Sequence, residues 1–155
     1  MKVRIVALGH RMPGWVVAGC DDYARRLPRE YAVGIVELKP AVRERGRSVA
    51  QMLAAEATRI TAACAGFRMV ALDERGEAWS TREFAARLRG FRDAGDDVAF
   101  VIGSADGLDR DLKTDADLLL SLSAMTLPHA LVRVLLAEQL YRAVSLIQNH
   151  PYHRD

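Results

Sequence analysis

Between His129 and Arg154 the chain concentrates side chains that can move protons, hold anions and stack on planar groups. The tail Asn149-His-Pro-Tyr-His-Arg154 places two imidazoles, a phenol and a guanidinium within six positions. Histidine titrates near neutrality, tyrosine stacks on a base and arginine clamps an anion. A frayed terminus has the same appearance when nothing orders it. Upstream, Glu138 and Arg142 have the spacing and orientation of a helical ion pair. With Ser145 and Asn149 they fall on one stripe of a helix that is otherwise apolar nearly all round. Such a helix needs cover on more than one side, and a self-complementary dimer interface along it is one way to provide it. The other is a sandwiched core helix with one solvated edge.

Two loops are candidates for a small-molecule site. Leu122-Ser-Ala-Met-Thr-Leu127, followed by Pro128, mixes hydroxyls, small residues and apolar side chains. That mixture suits a purine held between apolar groups with its edge read by the backbone. It equally describes a helix-entry loop with Thr126 as cap and Pro128 in the first turn. Ile102-Gly-Ser-Ala-Asp-Gly107 puts glycines directly after a buried strand, where ligands approach the carboxyl end of a parallel sheet. Plain turn glycines read the same way.

Other chemistries find no support. The first turn, Gly9-His-Arg-Met-Pro-Gly14, lacks the G-x-G-x-x-G glycines of a dinucleotide site, and no P-loop or G-x-S-x-G occurs. Cys20 and Cys64 form no C-x-x-C pair and are expected to be reduced thiols. The four histidines have no cysteine partner or zinc spacing, so no metal is expected.

The elements that must position these residues alternate. Runs at 3–8, 31–38, 67–72 and 97–102 read as strands, with helices at 15–27, 48–65 (Ser48 capping) and from Ser80 or Thr81 onward. Residues 73–80 read as a loop, 118–122 as a fifth strand and 131–148 as the last helix. The pattern predicts an α/β fold with a parallel sheet and flanking helices, in one domain over 1–155. The net charge of +2 hides local contrasts. Lys39, Arg43, Arg45 and Arg47 against Glu44 make a basic loop of +3 at 39–47, a candidate docking surface or simply a solvated loop. Residues 106–117 hold five Asp against Arg110 and Lys113, a net of −3. No stretch has membrane length without a charge, so a cytoplasmic protein without a membrane partner is expected.

Read together, Leu122-Ser-Ala-Met-Thr-Leu-Pro-His129, Leu131-Val-Arg-Val-Leu135, Glu138-Gln-Leu-Tyr-Arg142 and Asn149-His-Pro-Tyr-His-Arg154 closely resemble the large-subunit (23S rRNA) pseudouridine-N3 methyltransferases of the SPOUT, or α/β-knot, class. Val6-Ala-Leu-Gly9, Met12-Pro13, Leu72-Asp73 and Trp79 extend the likeness over essentially the whole chain. The resemblance implies a C-terminal trefoil knot, a homodimer and S-adenosyl-L-methionine as cofactor. Positions matching the family's cofactor loops are Leu72, Asp73, Gly103, Ser104 and Leu122, Ser123, Ala124, Met125, Thr126 and Leu127. The implied substrate is a pseudouridine in the decoding-centre hairpin of 23S rRNA, in the 70S ribosome. One subunit's tail is expected to face the other's cofactor. His129 and His153 become candidate bases, Arg154 an anion stabiliser, Tyr152 a stacking group, and Glu138 with Arg142 a brace. Where the family's loop reads Gly-Gly-Pro-Glu-Gly, this chain has Gly103-Ser-Ala-Asp-Gly107, and Ser104 is expected to resist a left-handed conformation there.

Overall fold

The computed structural model describes residues 1–154; Asp155, the end of the predicted tail, lies outside them. Five strands, β1 (Lys2–Leu8), β2 (Ala32–Leu38), β3 (Arg68–Ala78), β4 (Val98–Ile102) and β5 (Leu118–Ser121), form one sheet in the order β2-β1-β4-β3-β5. Every neighbouring pair is parallel, as alternating β and α segments require. The central strands are apolar on both faces because helices cover both. Val3, Ile5 and Ala7 join Val98, Phe100 and Ile102 in one core, while Val6 and Leu8 join Ala99 and Val101 in the other. Helices α3 (Thr81–Ala94) and α5 (His129–Ile147) cover the first face, with α1 (Gly14–Arg26) packed on α5. Helices α2 (Val49–Ala63) and α4 (Arg110–Asp115) cover the second.

Helix starts follow capping chemistry where the sequence supplies it. Ser48 with Gln51, and Ser80 with Glu83, form complete capping boxes, each capping side chain adding about 1 kcal/mol. Asp109 caps α4 by accepting from the backbone of Asp111 and Leu112. The acidic run thus does structural work: Asp117 likewise accepts from Met69 N at 2.7 Å.

Four expectations change. Residues 73–78 are not loop: β3 continues to Ala78, with Leu72 and Glu77 both registered on Leu120, so residues 73–76 bulge out of the ladder. The last helix begins at His129, two residues early, with Pro128 at its cap position and no side-chain capping bond, so Thr126 does not cap it. A 3₁₀ turn (Arg29–Tyr31) and α4 are additions, too short to show a helical period in the sequence. Finally, the polar stripe of α5 is only partly solvated: Arg142 and Glu138 keep 28% and 15% of their side chains exposed, and Asn149, beyond the helix, is exposed. No residue from His129 to Ile147 is exposed, and Ser145 is buried, donating to Tyr141 O at 2.8 Å.

Candidate active site

The bulge of β3 and the carboxyl ends of β4 and β5 open into a cleft of about 760 Å³, within the size range of small-molecule sites. Most residues of the candidate cofactor loops meet there: Leu72 and Asp73 from β3, Gly103 and Ser104 after β4, and Leu122, Ser123, Met125, Thr126 and Leu127 after β5. Ala124 does not line the cleft and is exposed.

Each wall has a physical cause. The loop after β4 folds back on itself, with Gly107 N donating to Ser104 O at 2.9 Å. A Cβ on Gly103 would stand 2.7 Å from Gly107 O, so this crossing admits only glycine. Ser104 does not take a positive φ; Gly107 does, at 86°. The strain expected of Ser104 is therefore absent, and the left-handed residue of this loop is a glycine. Ser104 Oγ instead donates to Glu56 Oε2 at 3.3 Å. In the β5 loop, Ser121 Oγ donates to Ser123 O and Ser123 Oγ accepts from Met125 N, closing a tight turn. That turn leaves Met125 76% exposed at the mouth.

The bulge in β3 puts Asp73 on the wall, where it accepts from Arg75 N at 2.9 Å and from Lys113 Nζ at 3.0 Å. Burial acts to raise its pKa, but these two donors outweigh it and hold the carboxyl below its ordinary value. Asp73 is thus ionised at neutral pH. His129, the first residue of α5, completes the wall. Its Nε2 is 3.9 Å from where a Cβ on Gly9 would lie, so it sits over the end of β1.

The remaining predicted residues form a second cluster. Glu138 Oε1 accepts from Arg142 Nε at 2.8 Å and from the Tyr152 hydroxyl at 3.2 Å. The Arg142 guanidinium lies 4.7 Å from the Tyr152 ring centre, and the Tyr141 ring is 4.6 Å from Tyr152. Burial, the Tyr23 hydroxyl and the Glu138 charge push the Tyr152 phenol up to about 12. It is therefore a donor at neutral pH. His153 is half-buried and Arg154 exposed. None of Glu138, Arg142, Tyr152, His153 or Arg154 lines the cleft. Glu138 lies nine positions after His129 on the helix, about 14 Å along α5.

Three residues that shape the site carry no motif. Lys113 holds Asp73. Glu56, 5% exposed, holds Ser104. Arg133, 1% exposed, donates to the carbonyls of Leu8 and Gly9 and to Glu37. The signal available for Glu56 and Arg133 was a lone charge on the inward side of an apolar helix, which requires a dedicated partner. Burial raises the thiol pKa of Cys20, against the pull of Arg133, and that of Cys64 to about 11, so both are inert at neutral pH. Among the described residues no three His, Cys, Asp or Glu side chains are grouped to hold a metal, and no helix is long and apolar enough to cross a membrane.

A family model described as "Predicted SPOUT methyltransferase" matches residues 1–153. Ribosomal RNA large subunit methyltransferase H of Burkholderia multivorans is 58% identical over 99% of both chains, and that of Burkholderia cenocepacia 57% over 99% of both. Two solved structures share the fold. A "putative methylase family protein" from Neisseria gonorrhoeae has a TM-score of 0.56 at 16% identity, covering 99% of this chain and 86% of its own. A "Probable Methyltransferase" from Bordetella pertussis has a TM-score of 0.57 at 20% identity, covering 92% and 95%.

Proposed function

The chain belongs to the SPOUT methyltransferase family, and from that premise we propose that it transfers a methyl group from S-adenosyl-L-methionine to N3 of a pseudouridine in the decoding-centre hairpin of 23S rRNA, in the cytoplasm and on the assembled 70S ribosome. The observation that carries this reading is the 57–58% identity, end to end, to relatives named for methylation of large-subunit ribosomal RNA.

The cleft fits such a donor. Leu72, Leu122 and Leu127 offer apolar walls for an adenine, and the loops after β4 and β5 offer backbone groups for its edge. When bound, the donor supplies a methyl already activated on a positively charged sulfur. What falls to the protein is orientation and the removal of one proton from the imide nitrogen. Orientation is worth on the order of 7–11 kcal/mol, and a general base ~10²–10⁴-fold. His129 stands on the cleft wall and is the base nearest at hand; His153 of the tail is the alternative. Tyr152, protonated at neutral pH, stacks on or donates to the pyrimidine, Arg154 stabilises its anion, and Glu138 and Arg142 brace them.

The tail cluster lies about 14 Å along α5 from the head of its own cleft. A homodimer in which each tail completes the partner's cleft reconciles the two, and the C-terminal trefoil knot belongs to the same reading. The test is transfer from labelled donor to 70S ribosomes, free subunits and protein-free 23S rRNA, with the product nucleoside identified by mass spectrometry. The expected product is N3-methylated pseudouridine from 70S ribosomes. No donor binding in calorimetry would instead support a non-catalytic ribosome-binding factor that keeps the fold, and donor binding without transfer to this RNA a methyltransferase of the same fold for another RNA site. Either His129→Ala or His153→Ala should lower kcat about 10²-fold or more; near-normal turnover in both would eliminate histidine as the base.

A further inference from the structure

The loop after β2 carries Lys39, Arg43, Arg45 and Arg47 against Glu44, and all five are exposed. Arg43 pairs with Asp106 at 2.9 Å while 75% of its side chain faces solvent. Lys39, Arg45 and Arg47 have no carboxylate partner among the described residues. A cationic loop of this kind is ordinarily loose, solvated chain. This one is pinned. Arg59 donates to Lys39 O at 2.6 Å and Ala41 N to Glu56 Oε1 at 2.8 Å, tying its start to the body, while Arg47 N donates to Glu44 O at 3.1 Å and closes a turn within it.

The pinning also sets where the cations stand. Glu56 is buried with both oxygens committed, one to the basic loop through Ala41 and one to the cleft loop through Ser104. Arg43 reaches the same cleft loop at Asp106, a residue of the cleft wall. Leu8 and Leu38 are in register, so the basic loop leaves the sheet at the edge where the cleft opens. A pinned cationic strip therefore borders the donor cleft, fixed to it by a buried carboxylate.

We infer that residues 39–47 are a docking strip for the sugar-phosphate backbone of RNA, held beside the donor cleft by Glu56. The inference rests on the RNA-methyltransferase reading above. Arginine forks at 43, 45 and 47 match phosphate bidentately. The Arg43–Asp106 pair, being exposed, is worth at most ~1 kcal/mol, so a phosphate can take Arg43 from it cheaply.

The variant Lys39→Glu/Arg45→Glu/Arg47→Glu tests the strip while leaving Arg43, Asp106 and Glu56 untouched. Its binding to purified 70S ribosomes is measured across a potassium chloride series beside the wild-type chain. Each phosphate contact adds about 0.7–0.9 to the slope of log affinity against log salt, so the variant should lose about 2–3 from that slope and bind about tenfold or more weakly at low salt. Arg45→Lys/Arg47→Lys should keep the slope, and calorimetry with S-adenosyl-L-methionine should give both variants wild-type donor affinity. Unchanged affinity and slope overturn the strip. Weaker binding at unchanged slope overturns it too, because the lost contact was then not with phosphate. A slope that falls as expected in a protein that transfers no methyl keeps the strip and removes the enzymatic reading instead.

Discussion

Arg133 is a guanidinium with 2% of its side chain exposed, set in the first turns of an apolar helix. It donates to Leu8 O at 3.1 Å, Gly9 O at 2.9 Å and Glu37 Oε1 at 3.0 Å, so it ties the head of α5 to the ends of β1 and β2. Arg133→Met should strand those carbonyls and cost roughly 2–4 kcal/mol in urea unfolding, toward the low side of buried-pair losses because Glu37 keeps contact with water. A loss under about 1 kcal/mol would mean the tie is redundant. Tyr152 makes a second test. Its folded pKa of about 12 lies above the ordinary value of 10. The stabilising contribution of the protonated phenol is thus complete below pH 10 and disappears as pH rises from 10 through about 12. An absorbance titration of wild type minus Tyr152→Phe should show one phenol ionising near the upper value; ionisation near 10 would contradict its burial. The two residues differ in legibility. Tyr152 stood out because His150, His153 and Arg154 flank it within two positions. Arg133 did not, because its role depends on two carbonyls more than a hundred positions away, which no local pattern encodes.

At the level of elements, the departure that matters most is β3. Reading it as ending at Leu72 followed from the polar Asp73-Glu-Arg75 and from Gly76, a sequence that looks like a turn. The chain resumes pairing afterwards, and the bulge places Asp73, Glu74 and Arg75 on the cleft. Gly76 is what lets it return: a Cβ there would stand 2.7 Å from the backbone of Leu119 and Leu120. Backbone on both sides cannot yield as a side-chain tip would, so Gly76→Ala should cost about 1–3 kcal/mol of stability and weaken donor binding as the bulge shifts. Wild-type melting and donor affinity in that variant would show that the strand tolerates a wider spacing. Helices α2 and α3 were legible because periodicity and caps agree at each, at Ser48 and at Ser80. The strands were legible as short apolar runs, but such runs carry no information about a ladder that breaks and rejoins.

For the molecule as a whole, the proposed site divides between two clusters on one chain, the cleft and the tail, and the proposed homodimer joins them. Mixing subunits tests this directly. A chain with a blocked cleft, Gly103→Trp, and a chain truncated after Gln148 should each be inactive. After random exchange half the dimers are mixed and each mixed dimer has one complete site of two, so activity should return to about a quarter of wild type. No recovery would place tail and cleft in the same subunit. The tie at Arg133 has a consequence for how the protein is made. Its two carbonyl partners lie 125 and 124 positions earlier in the chain. At about 5–20 residues per second of synthesis, β1 waits roughly 6–25 s for the guanidinium that completes its end. During that interval the head of α5 does not yet exist, and neither does the final wall of the cleft. Folding therefore closes late and over a long separation, a high-contact-order step. A nascent chain that stops short of Arg133 accordingly has neither this tie nor the wall that the head of α5 gives the cleft.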